Sequence, residues 1–255
     1  ASIGLFSFFN AKNSITKRTY DQLTSIREMK GRQIEDYFGQ IENQILTMSE
    51  NQMIVDFTND LNQTFFNAAV NVSPEDLANQ KEALKQYYQN EFLIRLNKNL
   101  GKEASIDQYL PHEPQSIYLQ YQYIANNANQ TGEKHQLLQA ADETQYNEYH
   151  GKYHKIIKNF LEKFGYYDIF IANQETGHIM YSVFKEVDYT TSLLTGPYKN
   201  TNFAESFRMS AISSDKNFVS LKDFEPYDPS YYAPASFISS PIYDGDRTVS
   251  YTHPP

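Results

Sequence analysis

Two histidines stand four residues apart in "EYHGKYHK", His150 and His154, with Glu148 close by. On a helix that spacing turns both imidazoles to one side, an arrangement that suits a metal ion. A third ligand is missing at a suitable position, and Gly151 weakens the helix between them. The pair therefore reads as surface histidines, and no metal or other cofactor is expected. The chain has no G-x-G-x-x-G, G-K-[ST], H-E-x-x-H or G-x-S-x-G. Nothing in it assembles a nucleophile, a base and an oxyanion site, so an enzyme is not expected.

Binding chemistry is better represented. "SLLTGPYKNTNFAESF" and "DFEPYDPSYYAP" are loops dense in Tyr, Asp, Thr and Asn, and both flank predicted strands. A small-ligand site needs an aromatic lining with a few placed polar groups. Tyr181, Lys185, Tyr198, Asp223 and Tyr227 are the candidates for a small polar ligand. The competing reading is plain packing, with each Tyr hydroxyl left in water.

The elements that must carry these residues follow from the hydrophobic pattern. From residue 12 to about 60 the apolar positions Ile26, Met29, Ile34, Tyr37, Phe38, Ile41, Ile45 and Met48 recur in steps of three and four. That spacing is one face of a long helix. Its seam is imperfect, with Gln33 and Gln44 in it. The pattern predicts a loose homodimer through Ile26, Ile34, Ile41 and Ile45. Ser73 and Pro74 start the next helix, and Gly101 stops it. Further helices are predicted from about 115 to 126 and from about 139 to 164, the latter closed by Gly165.

The period then changes from helix to strand. Strands are predicted over 167–172 and 178–183 with "NQETG" as the hairpin between them. A short helix follows over about 202–210. Strands over 217–224 and 235–243 come next, and a fifth begins at Arg247. The expected fold class is α+β, with a long N-terminal helix and a helical segment ahead of an antiparallel, PAS-like sheet of about five strands. The divisions are 1–60 for the long helix, 61–165 for the helical part, 166–249 for the sheet, and 250–255 as a non-native tail.

Composition narrows the class of partner. The chain has 255 residues, net charge -9, 21 Tyr, 17 Phe, no Trp and no Cys. The negative charge disfavours nucleic acid, and the lack of Cys excludes disulfides and thiolate metal sites. The apolar start "ASIGLFSFF" is too short to span a bilayer. It reads as the last turns of a transmembrane helix.

The segments "QLTSIREMKGRQIEDYFGQIENQILTMSENQMIVD", "YQYIANNANQTGEKHQLLQAADETQYNEYHGKYHKIIKNFLEKFGYYDIFIANQETGHIMYSVFKEVDYTTSLLTGPY" and "DFEPYDPSYYAPASFISSPIYDGDR" resemble the extracytoplasmic sensor region of bacterial double-Cache receptors. The similarity runs over about residues 2–249. It implies a ligand-sensing domain of a methyl-accepting chemotaxis protein, or of a histidine kinase or nucleotide cyclase. It also implies a periplasmic position at the inner membrane, held by flanking transmembrane helices. Amino-acid-binding members carry an Arg-x-Trp-Tyr arrangement, which a chain without Trp lacks. The "EPYDPSYYAP" loop loosely matches their Pro-Tyr segment, which carries Tyr227 over as a candidate. An extracellular hydrolase is the remaining alternative, disfavoured by the missing nucleophile–base set.

Overall fold

The computed structural model describes residues 2–245 and 247–253. They fall into two compact units, residues 1–44 and residues 45–255. The first is the greater part of helix α1 (Ser2–Ser49). Along it, residues 4–38 are exposed on every side. Among the described residues no helix is long and apolar enough to cross a membrane.

The periodic run does not make one helix to residue 60. It breaks at Asn51, whose backbone is extended and whose side chain accepts the Met53 N–H to cap α2 (Gln52–Thr64). The break needs neither Pro nor Gly, so hydrophobic spacing is blind to it. Ile45 and Met48, in the last turns of α1, are buried in the core of the second unit. Ile26 and Ile34 are exposed and Ile41 is half-buried. Ile45 is thus a core residue and not free for a dimer seam.

Four more helices precede the strands: α3 (Pro74–Tyr87), α4 (Leu93–Leu100), α5 (Pro114–Gln120) and α6 (Gln145–Phe164). Ser73 accepts the Asp76 N–H at the start of α3, and Thr144 accepts the Asn147 N–H at the start of α6. The Thr144 cap explains why α6 starts later than the sequence pattern predicts. Wide π turns at Tyr88–Phe92 and Tyr121–Ala125 extend α3 and α5.

The strands are β1 (Phe170–Asn173), β2 (Ile179–Ser182), β3 (Ser220–Tyr227), β4 (Ala233–Asp244) and β5 (Arg247–His253), with α7 (Asn202–Ala211) between β2 and β3. β1–β2 form a two-stranded antiparallel block and β3–β4–β5 a three-stranded one. Pairing of β1 with β5, from Phe170↔His253 to Asn173↔Ser250, joins them in the order β2-β1-β5-β4-β3. Residues 250–253, expected to lie outside the fold, therefore continue β5, with 250–252 paired on both sides and His253 paired with β1. Pro254 and Pro255 lie outside the described residues.

Alternation along β1 sends Ile171 into one apolar cluster and Phe170 and Ala172 into another. α2 packs against β2, β4 and β5, and α6 packs against α2. Phe57 of α2 links the two helices and the strands. Its ring centroid lies 4.6 Å from that of Tyr153 and 5.1 Å from that of Tyr181. α7 packs against β3, β4 and β5, with Phe203 stacked on Phe237 at 4.6 Å. A third cluster, with Tyr88, Phe92, Tyr109 and Tyr198, fills the space around α3 to α5.

Candidate functional site

A cavity of about 580 Å³ opens between residues 108–116, the arch 190–199 and Asp228. That volume is in the ~300–1,000 Å³ range of small-molecule sites. Its polar lining includes Tyr109, Glu113, Ser116, His178, Lys199 and Asp228. Behind this wall lie Tyr88, Tyr198, Tyr227 and Asp188, all buried.

The backbone under the cavity is held by the α5 region. Gln120 Nε2 donates to the carbonyls of Tyr189, at 2.6 Å, and Val187. Ser116 Oγ donates to the carbonyl of Thr190 at 2.9 Å. Tyr88 OH donates to Gln120 Oε1 at 2.8 Å, so the π turn at Tyr88 fixes the amide that fixes the strap. Lys185 (φ 61°) and Thr190 (φ 72°) sit in the left-handed region at the two ends of this strap. Tyr231 and Tyr232 do the same just after Asp228. Non-glycine residues are held there only by a cost of ~1–3 kcal/mol each, and such strain gathers at functional sites.

Asp188 is the unusual group. Tyr227 OH donates to its Oδ2 at 2.7 Å, while its Oδ1 is buried with no hydrogen-bond partner. Burial, aided by the charge of Asp168 and opposed by the Tyr227 hydrogen bond, raises its carboxyl to about 7. Tyr198 OH is likewise buried without a partner. The Tyr198 ring lies 5.9 Å from that of Tyr227 and 6.3 Å from that of Tyr109. Tyr109 OH donates to Asp228 Oδ2 at 2.8 Å. The site thus combines aromatic faces with carboxylates, and an aromatic face beside a carboxylate suits a cation.

His178 closes one wall of the cavity. Its Nε2 lies 2.6 Å from Glu113 Oε2, and its Nδ1 lies 2.9 Å from Thr176 Oγ1. The Thr–His–Glu sequence suggests hydrolytic chemistry, but the proton is placed otherwise. Thr176 Oγ1 donates to Asn173 Oδ1 at 2.8 Å, and an amide oxygen can only accept. Ser192 Oγ donates to the Thr176 carbonyl at 2.6 Å. Neither hydroxyl hands its proton to His178, as a nucleophile would.

The sequence candidates separate. Tyr198 and Tyr227 lie beneath the cavity. Asp223 does not: it is exposed on β3, where its carbonyl accepts from Asn202 Nδ2 at 2.8 Å and its Oδ1 accepts the Phe224 N–H at 2.7 Å. The strand starts and ends three residues later than its sequence pattern suggests, which puts Tyr227 inside it. Tyr181 and Lys185 belong to a separate, closed cluster on the α6 side. There Lys185 Nζ lies 4.5 Å from the Tyr181 ring centroid, 5.2 Å from Tyr189 and 5.5 Å from Tyr123. It also donates to the Ser182 carbonyl. Burial lowers the Lys185 amine, and the Asp168 charge opposes that shift.

His150 and His154 complete that cluster. They are not at the surface; both are fully buried, with rings stacked 4.5 Å apart. His150 Nδ1 faces the Leu138 carbonyl at 2.7 Å, so it carries the proton and leaves Nε2 bare. His154 Nε2 faces the His135 carbonyl, so its Nδ1 accepts from Tyr181 OH at 2.7 Å. Burial and the nearby Lys185 charge hold both neutral, His154 down to about 3. Among the described residues no group of three or more His, Cys, Asp or Glu side chains is arranged for a metal ion.

Sequence reasoning missed Asp188, Glu113, His178 and Tyr109. The one local signal was an acid in "KEVDYTT", between a strand end and the arch. No protein-family model, curated protein or solved structure matches the chain.

Proposed function

We propose that residues 45–253 form the ligand-sensing domain of a bacterial transmembrane signalling receptor of the double-Cache type, a methyl-accepting chemoreceptor in the first place. The same sensor on a histidine kinase or nucleotide cyclase is the alternative, and it would use the same site. The observation that carries the reading is Asp188, a buried carboxylate with a spare oxygen, set with Tyr198 and Tyr227 behind an open cavity that Tyr109 lines. A domain with no ligand has no reason to keep that oxygen unsatisfied, since a buried acceptor without a partner costs ~1–3 kcal/mol. Five antiparallel strands with α7 between the second and third fit the plan of a PAS-like sheet.

The ligand is a small polar molecule bearing a positive group. Asp228 and Glu113 outnumber Lys199 in the lining, with Asp188 buried behind it, and the Tyr109 face adds cation–π attraction. Signal leaves through the strap that carries Asp188 and then through α6 and α2, which meet at Phe57 and Tyr153. Tyr153 OH also donates to Asp60 Oδ2 at 3.2 Å. The last turn of α1 docks on β4, with Ser49 Oγ 3.4 Å from Ser240 Oγ. Coupling of this kind is typically ~1–3 kcal/mol. The apolar residues Leu5, Phe6, Phe8 and Phe9 suit the membrane-proximal end in the periplasm. Ile26, Ile34 and Ile41 suit a homodimer seam, which sedimentation at high protein concentration tests.

A thermal-shift screen of organic amines, amino acids and organic acids tests the sensor reading. An amine that raises the melting temperature supports it. A response to none of the three classes contradicts it.

A further inference from the structure

A second cavity, of about 590 Å³, lies away from the arch, between the C-terminal end of α2, the turn at 67–72, α5 with its π turn, and the segment that enters α6. Two of its lining side chains present polar atoms that nothing in the protein satisfies. Tyr118 is 3% exposed, and its hydroxyl is buried without a hydrogen-bond partner. Asp142 is anchored through one oxygen only. Its Oδ1 accepts from the Thr144 N–H at 3.2 Å, the Thr144 hydroxyl at 3.0 Å and Asn147 Nδ2. Its Oδ2 is buried with no partner. A carboxylate oriented by three donors on one oxygen, with the other left over, is built to receive a donor from a ligand.

The rest of the lining defines which ligand. Gln63, Asn67, Gln122 and Gln145 supply amides, and Val70 and Val72 supply an apolar rim. Among the described residues no Lys, Arg or His lines the cavity, and Asp142 and Glu143 are both acidic. An anion would meet two carboxylates and no counter-charge, which excludes carboxylate or phosphate ligands. An ammonium group only donates, so it would leave the amide N–H groups unmatched. Hydroxyl groups both donate and accept, and so satisfy the carboxylate, the phenol and the amides together.

We infer that this cavity is a binding site for a neutral polyhydroxylated ligand, a small saccharide, with Tyr118 and Asp142 as its anchoring residues. The site is separate from the arch cavity, and the inference stands whether or not the sensor reading holds. Tyr118→Phe removes only a hydroxyl that bonds to nothing in the protein, so the variant keeps its fold.

The test is ligand-detected saturation-transfer NMR on the whole chain with D-glucose, D-galactose, N-acetylglucosamine and maltose. Titration calorimetry follows on any sugar that responds. At least one is expected to bind, and Tyr118→Phe and Asp142→Asn are each expected to weaken it about tenfold, the worth of one hydrogen bond. Asp188→Asn, buried behind the arch cavity and away from this site, is expected to leave it unchanged. Absence of binding by all four sugars overturns the inference. So does a sugar whose affinity survives both Tyr118→Phe and Asp142→Asn.

Discussion

Asp168 and Asp188 are both buried, and both stand on the chain that runs through β1, β2 and the arch, yet they are used in opposite ways. Asp168 spends every acceptor. Its Oδ1 takes the N–H groups of Ile169, Val183 and Phe184, and its Oδ2 takes the Ser182 hydroxyl at 2.7 Å. Lys185 lies close enough to shift its titration, although burial still raises it. Asp188 takes the Tyr227 hydroxyl on Oδ2 and feels the N–H groups of its own residue and of Tyr189, yet among the described residues its Oδ1 meets no hydrogen-bond partner. The first carboxylate is part of the scaffold, because it ties the start of β1 to the end of β2. The second has capacity that the fold does not consume. A buried charge marks a site when its bonds are incomplete, and burial alone does not separate the two cases.

Breaking the scaffold side gives the largest effect. Asp168→Ala leaves three N–H groups and a hydroxyl without their acceptor, and Lys185 without the nearby opposite charge. Loss of one partner from a buried charged network costs roughly 3–5 kcal/mol. Urea unfolding of the variant is expected to show that loss, and a change within about 1 kcal/mol would remove the distinction drawn here.

The matching change on the other side should read in binding rather than in stability. Asp188→Asn keeps an acceptor for Tyr227 OH and removes the charge. Near pH 4, where the Asp188 carboxyl is protonated and as neutral as Asn, unfolding free energy is expected to stay within about 1 kcal/mol of wild type, while at higher pH affinity for a cationic ligand falls roughly 10- to 100-fold. That is the range of a hydrogen bond to a charged group. Calorimetry and urea unfolding on the same preparation separate the two readouts.

Acidity sharpens the contrast. The Asp188 carboxyl is raised from 3.8 to about 7, so the folded protein holds its proton where the unfolded chain has lost it. Its contribution to stability is complete below the unfolded value and is lost as pH rises through about 7. Wild type is therefore expected to lose stability relative to Asp188→Asn between about pH 4 and 7. The neutral histidines act with the other sign. His154, lowered to about 3, binds its proton less readily when folded, so its contribution is lost as pH falls from about 6.5 toward 3. Urea unfolding of wild type, Asp188→Asn and His154→Gln across that range resolves the two opposed slopes.

The smallest expected effect is at Tyr198. Its hydroxyl has no partner, so Tyr198→Phe should change stability by less than about 0.5 kcal/mol. Binding should weaken a few-fold if the hydroxyl meets the ligand. Equal affinity in the variant would leave Tyr198 as an aromatic wall only.

How much of this was legible in the sequence depended on how local the cause was. The caps at Ser73-Pro74, Gly101 and Gly165 and the hairpin from β1 to β2 follow from residues next to each other in the chain. The α+β class follows from the change of period near residue 165. The break at Asn51 was hidden, because a single side-chain cap interrupts a pattern whose apolar spacing carries on. Asp223 was misplaced because β3 runs on to Tyr227, which leaves Asp223 exposed in mid-strand instead of at the strand end beside the arch. The burial of His150 and His154 depends on a cage of Tyr123, Tyr146 and Tyr181 drawn from three elements. Asp188 is distinguished from other acids only by contacts with Tyr227 and the α5 region, which no local pattern reveals.

The central claim is that the ionised Asp188 carboxylate anchors the ligand. The measurement that tests it most directly is calorimetric titration of a bound amine at about pH 5.5 and about pH 8, with wild type and Asp188→Asn. With a carboxyl near 7, wild type is predicted to bind more than tenfold tighter at the higher pH, and the variant to bind weakly and equally at both. An affinity in wild type that does not change with pH, or a pH dependence that survives in Asp188→Asn, would contradict the account.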